Sequence, residues 1–414
     1  MTTTDSMPVA TVRRGRLSRT TAFVVVALAF VAAFLGSGTP VPLYNTYRAD
    51  DGITSAGLAI TTVVYLGTTA VALLTTGRLS NHVGRRPVAI AAALFAAAGC
   101  LVMLDVHGLP ELMAGRVLQG IACGIASSAL GSYVLDLTPD RPGWLGPVLT
   151  SSAPPFAIPL GALISGLLVQ YGPAPRFLVY SIVASVLVVL AILLALCPDP
   201  VERRPGALAS LIPRVHVPRG QGRLLFAVGA GLVGTWALSG FYQAFSPVLA
   251  ADELGTSNAF IVALVFASIV VLSPVGGLLT GRLRAVTGMR IGLVVFVVAT
   301  AAIIVTLHLG QIWWFLAASA FAGIAQGSAN AGGMRSILGE AAPADRAGLL
   351  ATLYLISYAG AAGPGLVAGQ FATFMAPDQI AVGYGALVVV AVVVALVTLG
   401  SRNRQVGEAQ VVAR

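Results

Sequence analysis

Long apolar runs separated by short polar or arginine-bearing connections constrain this chain more than any other feature. A helix that crosses a bilayer needs about 20 mostly apolar residues at about 1.5 Å rise each. Twelve stretches meet that need, at roughly 20–43, 55–77, 87–106, 110–134, 144–170, 176–197, 223–248, 258–280, 289–308, 311–334, 346–371 and 379–400. Only 9% of the residues are charged and 57% are apolar, whereas a soluble domain is about 25% charged. A compact soluble protein cannot cover its surface with so few charges, and the apolar content excludes disorder. The expected fold class is an all-α membrane protein with twelve transmembrane helices.

The charges set the topology. Every basic residue is arginine. With twelve retained spans and a cytoplasmic N-terminus, all but Arg48, Arg116 and Arg176 fall on the cytoplasmic side, as the positive-inside rule expects. Arg13, Arg14, Arg16 and Arg19 precede the first apolar run in the manner of a secretory signal, but the charge balance favours a retained helix. The expected placement is the cytoplasmic membrane, multi-pass, with both termini cytoplasmic. A net charge of +9 does not imply nucleic-acid binding, because the arginines are scattered between apolar runs and form no single basic surface.

Cys100, Cys123 and Cys197 form no Cys-x-x-Cys pair, and His82, His107, His216 and His308 are dispersed. Neither a disulfide framework nor a metal centre is expected. No cofactor is implied. Without lysine there is no phosphate-binding Gly-Lys-Ser/Thr loop, and no Ser/His/Asp constellation marks an enzyme.

The chain divides into an N-terminal six-helix half (1–197), a cytoplasmic central loop (198–222) and a C-terminal six-helix half with a short cytoplasmic tail (223–414). The halves repeat each other. Gly77-Arg78-Leu79 with Gly84 and Arg86 recurs as Gly281-Arg282-Leu283 with Gly288 and Arg290; Gly120-Ile121-Ala122-x-Gly124 recurs as Gly323-Ile324-Ala325-x-Gly327; Asp140-Arg141-x-Gly143 recurs as Asp345-Arg346-x-Gly348. Parallel six-helix halves suit a carrier whose solute sits between them while one half rocks against the other.

The loop after the second span reads Gly77-Arg78-Leu79-Ser80-Asn81-His82-Val83-Gly84-Arg85-Arg86. It resembles the signature loop of the major facilitator superfamily, Gly-x-Leu-(Ala/Ser)-Asp-x-x-Gly-Arg-(Arg/Lys). Asn81 stands where that family usually has an aspartate. Arg116-x-x-Gln119-Gly120 in the fourth span is similar to a second family motif. The resemblance implies alternating access, with Gly77, Arg78, Asn81, Gly84, Arg85 and Arg86 at an inner gate. Asp136, near the inner end of the fourth span, is placed to pair with Arg85 or Arg86 as a latch that breaks on inward opening; the alternative is a plain topology anchor.

Arg116 is the one charge well within a span. Arginine at mid-helix costs about 2.5–3.5 kcal/mol on insertion scales, and such charges usually face a cavity. Nearness to the outer end allows snorkelling to lower that cost. Gln119, Gly120, Cys123 and Ser127 share its helix side. Two readings stay open: a cavity lining that contacts an anionic group or shifts a proton equilibrium, or a structural arginine bonded to carbonyls. Further candidates for the substrate path are Trp236, Tyr242, Gln243, Gln326, Asn330, Tyr354 and Tyr358. Gln326 and Asn330 lie four apart on one helix face, and two mid-span amides need partners. All acids fall in loops, termini or span ends. A coupling proton is therefore an expectation of the resemblance that the residues do not themselves support, and cationic substrates lack a buried counter-charge. Pro154, Pro155 and Pro159 in the fifth span and Gly363-Pro364-Gly365 in the eleventh imply kinked or loosened helices.

The expected function is secondary transport of small organic, amphiphilic solutes, outward in direction. The alternatives are a nutrient or organic-anion importer and a non-transporting sensor or scaffold.

Overall fold

A computed structural model describes residues 16–213, 220–342 and 345–412, with the side chains of Ala347 and of 401–412 left aside. Arg13, Arg14, Arg214, His216, Arg219 and Arg414 lie outside the described residues, as do the side chains of Arg402 and Arg404. Every element among the described residues is helical. Eleven helices are both long and apolar enough to cross a membrane: α1 (Arg19–Asp50), α2 (Ser55–Thr76), α3 (Arg85–Asp105), α4 (Leu109–Leu137), α5 (Leu145–Tyr171), α6 (Pro175–Leu196), α7 (Gly222–Glu253), α8 (Ala259–Leu279), α9 (Ala285–His308), α11 (Gly348–Phe371) and α12 (Pro377–Gly400). The remaining long helix, α10 (Ile312–Gly339), has 28 residues. It is long enough at about 1.5 Å per residue, but Gln326, Asn330 and Arg335 make it more polar than the others.

Helix starts follow local chemistry. Ser18 caps α1 by accepting from Thr21 N, Thr54 caps α2 through Gly57 N, and Asn258 caps α8 through Phe260 N and Ile261 N. Within the spans, threonine and serine hydroxyls donate to carbonyls one turn back, as Thr69 does to Tyr65 O and Thr300 to Phe296 O. In lipid this satisfies the hydroxyl within its own helix.

Helices α1–α6 pack on one another, as do α7–α12, and two seams join the groups: α2 against α11 and α5 against α8. The repeated Gly-Ile-Ala-x-Gly has one physical cause in both halves. A Cβ on Gly124 would collide with Thr69 O and Ala72 of α2, and one on Gly327 would collide with Ser273 O of α8. Glycine there lets two backbones touch.

α5 runs unbroken through Pro154, Pro155 and Pro159, and α11 through Pro364. Interruptions fall elsewhere. α1 stops at Gly38, passes through a 3-10 turn at Val41–Leu43 with Pro40 before it and Pro42 within it, and resumes at Tyr44–Asp50. α4 and α7 carry π turns at Ala126–Leu130 and Leu249–Glu253, and α8 breaks between Ser268 and Ser273.

The groups α1–α6 and α7–α12 are tied together at one end. There Asn45 Nδ2 donates to Pro247 O at 2.9 Å, Arg48 pairs with Asp252 at 3.2 Å, and Ala259 N donates to Gln170 Oε1 at 2.9 Å. Val41, Tyr44 and Leu249 are fully enclosed at that end. Toward the opposite end Val24 and Leu28 of α1, Val148 of α5 and Phe226 of α7 are exposed.

Candidate functional site

The loop between α2 and α3 is held by carboxylates from two other segments. Gly84 adopts φ +103° and ψ 155°, a conformation open to glycine alone. It initiates α3, and the first amides of that helix need acceptors. Asp199, just past α6, supplies them: its Oδ1 accepts from Arg85 N at 3.0 Å and its Oδ2 from Arg86 N at 3.4 Å. A Cβ on Gly84 would collide with that carboxylate. Glycine is thus required twice over, by dihedral and by the approach of Asp199.

Arg85 Nε donates to Asp136 Oδ2 at 2.8 Å, and its Nη1 donates to Ser80 Oγ and to Asn81 Oδ1 at 2.6 and 2.7 Å. Asn81 therefore takes part as a neutral acceptor. Arg86 Nη1 donates to Ala195 O and Cys197 O of α6. Arg78 meets no carboxylate; its Nη2 donates to Ser210 O and Ile212 O of the central loop. That loop is bound again where Arg204 N donates to His82 O at 2.8 Å and His82 Nδ1 to Pro205 O at 3.0 Å. Sequence reasoning missed Asp199. A lone acid between Pro198 and Pro200, at the mouth of a span beside two arginines, was the available signal.

Arg116 is completely enclosed, so it does not snorkel to the outer surface. Its Nη1 donates to Ser37 O at 2.7 Å and to Gln119 Oε1 at 3.1 Å, while Gln119 Nε2 donates to Gly36 O at 2.9 Å. Those carbonyls end the first segment of α1, where the break leaves backbone acceptors without helical donors. The guanidinium also lies over the Tyr65 ring, 4.7 Å from its centroid, and 5.9 Å from that of Tyr44. Tyr65 Oη donates to Ser37 Oγ. Cys123 and Gly120 face into the same bundle, and Ser127 donates to Cys123 O. Arg116 and Gln119 thus point into the first half and away from the space between the halves.

In the second half the polar groups pair with one another. Gln326 exchanges two bonds with Ser239, and Asn330 accepts from Thr235 Oγ1 at 2.9 Å. Tyr242 bonds Ser319, and Gln243 is buried. Trp236 and Tyr358 meet edge to face at 5.2 Å and pack against apolar residues of the first half at mid-depth. Tyr354 is the more exposed tyrosine of that helix.

An apolar groove of about 280 Å³ opens between the inner parts of α1 and α5, lined by Phe23, Val24, Ala27, Leu28, Val31, Leu145, Val148 and Leu149. None of the expected path residues lines it. At an offset of 204 or 205, Leu28, Val31 and Leu35 correspond to Val233, Trp236 and Ser239 of α7, and Trp236 packs against both hydrophobic clusters. Among the described residues no cluster of three or more His, Cys, Asp or Glu is able to hold a metal ion.

The family model "Major Facilitator Superfamily" matches residues 26–365. The multidrug resistance protein MdtL of Klebsiella pneumoniae is 33% identical over 123 residues, 29% of this chain and 31% of MdtL. Hexose transporter 1 of Toxoplasma gondii is 34% identical over 91 residues, 22% of this chain and 16% of that protein. The match thus spans under a third of each of these relatives. Among solved structures, a peptide transporter POT bound to sulfate superposes with a TM-score of 0.72 at 15% identity, covering 95% of this chain and 97% of the other. A variant of the nucleoside transporter NupG gives 0.70 at 12% identity, covering 91% and 99%. These likenesses show the fold. The chain belongs to the major facilitator superfamily, and its helices are those of a multi-pass membrane protein.

Proposed function

We propose that this superfamily member is a secondary active carrier that exports small amphiphilic organic solutes across the cytoplasmic membrane by rocker-type alternating access. Its moving parts are the halves 1–197 and 223–414, joined by the central loop 198–222, with both termini cytoplasmic. One observation carries the reading: the two groups of helices are joined at one end by hydrogen bonds and an ion pair, while toward the opposite end an apolar groove between α1 and α5 lies open. A solute with an apolar body enters such a groove from the cytoplasm or the inner leaflet. The partial likeness to a multidrug resistance protein agrees with export.

In this reading Arg85 and Asp136 form the latch, with Gly77, Arg78, Asn81, Gly84 and Arg86 shaping the loop that carries it. Trp236 and Tyr358 floor the solute path at mid-depth, and Gln326, Asn330 and Tyr354 border it. Arg116 and Gln119 hold the broken α1 in register, so their effect on solute is indirect. An importer that clasps an organic anion on Arg116 is disfavoured, because that guanidinium is enclosed.

The test is flux in inverted vesicles that hold the protein, with a panel of uncharged and anionic dyes and an imposed pH gradient of either sign. Accumulation inside the inverted vesicles, absent from empty controls, is expected. Movement only in the opposite direction, or none for any solute, overturns the reading. Dependence of the rate on the gradient decides whether a proton is coupled.

A further inference from the structure

The groove between α1 and α5 has more character than a generic apolar opening. Val24, Leu28 and Val31 form one wall and Leu145, Val148 and Leu149 the other, with no polar group between them. Its cytoplasmic mouth is basic. Arg19 lies one helical turn before Phe23, and Arg141 stands four residues before Leu145 in the turn that leads into α5; both are exposed. Arg16 stands a further three residues toward the N-terminus and is exposed as well. Among the described residues Arg19 Nη2 donates to a carbonyl, that of Asp136 at 3.2 Å, while the Asp136 carboxylate is taken by Arg85. Asp140 is the one acid adjoining these arginines in sequence, so the mouth keeps a net positive charge.

We infer that this groove binds the alkyl chain of a single-chain anionic amphiphile, with the head group at Arg19 and Arg141. The inference rests on the carrier reading for its physiological sense, and it names the solute class. Its size sets a chain length. A buried apolar cavity of about 150 Å³ accepts benzene, so about 280 Å³ takes roughly ten to twelve carbons in proportion. Each methylene buried adds about 0.8 kcal/mol of transfer free energy, a factor of about four in affinity. Affinity thus climbs steeply with chain length and stops climbing once the groove is full. A bilayer-facing surface that holds lipid loosely gives no such ceiling and no preference for head-group charge.

The experiment uses the full chain in nanodiscs of zwitterionic lipid, with equilibrium binding of radiolabelled hexanoate, octanoate, decanoate, dodecanoate and tetradecanoate. Empty nanodiscs supply the background, and decanol and decyltrimethylammonium are the head-group controls. Binding above background is expected to rise about fourfold per methylene and to level off near ten to twelve carbons. Decanoate should outcompete decanol, and decyltrimethylammonium should bind least. Leu28→Trp fills the groove and should abolish binding; Val148→Trp does the same from the other wall should the first variant not fold. Arg19→Gln with Arg141→Gln should remove the preference for decanoate over decanol and leave decanol unchanged. Equal binding of the cationic and anionic decyl compounds, a chain-length profile matching empty discs, or full binding by both tryptophan variants overturns the inference. Because binding needs no turnover, the two readings fail separately. A protein that transports other solutes but ignores decanoate sinks this inference alone, and one that binds decanoate but moves nothing sinks the carrier.

Discussion

The two halves are built on one plan, and one contact shows it directly. Arg86 donates to Ala195 O in the first half, and Arg290 donates to Leu399 O at 3.0 Å in the second, both partners displaced by 204 residues. Their buried polar groups nevertheless differ. At an offset of 203, Arg116, Cys123 and Ser127 are replaced by Ser319, Gln326 and Asn330. The first half holds an enclosed cation, and the second holds neutral pairs. The difference follows from α1 and α7. α1 breaks at Pro40 and exposes carbonyls at Gly36 and Ser37, whereas α7 stays α-helical through Pro247. A broken helix end in a membrane needs strong donors: Arg116 Nη1 serves Ser37 O and Gln119 Nε2 serves Gly36 O, while among the described residues Arg116 Nε and Nη2 meet no acceptor. An intact helix needs none, and hydroxyls and amides suffice beside it.

The inner loops differ in the same sense. Around Gly84 the first half gathers Asp136 and Asp199. Around Gly288 the second half uses Arg335, which donates to Gly281 O and Thr280 O. The carboxylate-bound loop is the one to which the central loop also adheres.

The largest expected effect separates Arg116 from its counterpart. Arg116→Ala leaves Ser37 O enclosed without a donor, at a cost of about 1–3 kcal/mol; membrane insertion, read as protein recovered in the membrane, should persist while flux falls tenfold or more. Ser319→Ala loses one neutral bond worth about 1 kcal/mol, and flux should fall only a few-fold. Equal losses in the two variants would erase the contrast drawn above.

Next comes the glycine pair. Gly84→Leu places a side chain against Asp199 and forces a left-handed dihedral, a strain of order 1–3 kcal/mol, and turnover should drop roughly tenfold. Gly288 has ordinary dihedrals and Thr280 Cβ as its nearest neighbour, so Gly288→Leu should cost less than threefold. Normal cycling of Gly84→Leu in vesicles would dismiss the first loop as a gate.

Asp199→Asn should act more gently, through loss of a charged helix cap worth about 1 kcal/mol. Cys197 offers a readout beside it. Burial pushes that thiol up to about 11, so little thiolate exists at neutral pH and maleimide labelling should be slow, quickening as pH rises toward that value. In a Cys100→Ser, Cys123→Ser background, Asp199→Asn should speed labelling by loosening the central loop. An unchanged rate would show that the loop holds without the carboxylate.

The smallest effect belongs to the outer ion pair. Arg48 and Asp252 are part-exposed, and such a pair contributes less than about 1 kcal/mol. Arg48→Ala should change flux less than about fivefold, and the difference should shrink in high salt.

Much of this was legible in the residues. Apolar runs of bilayer length specify helices because lipid offers backbone groups no partners, and the arginine distribution implies an orientation. The duplication, the glycine contacts and the pairing of Asp136 with Arg85 follow from spacing and charge. Asp199 escaped because its partners lie more than a hundred residues away, and a cap supplied across that distance leaves no periodic trace. The break in α1 escaped for a related reason. Pro154, Pro155 and Pro159 look disruptive in isolation, yet α5 remains helical, while Pro40 and Pro42 end α1 where Arg116 and Gln119 stand ready to take the freed carbonyls.

By itself the sequence determined which stretches suit lipid and that the two parts share motifs at a constant offset, since these depend on composition and spacing alone. Only the tertiary structure decided which way each polar group turns. Arg116 faces into its own half because the strongest acceptors within its reach are the orphaned carbonyls of another helix, and that proximity exists only once the helices have packed.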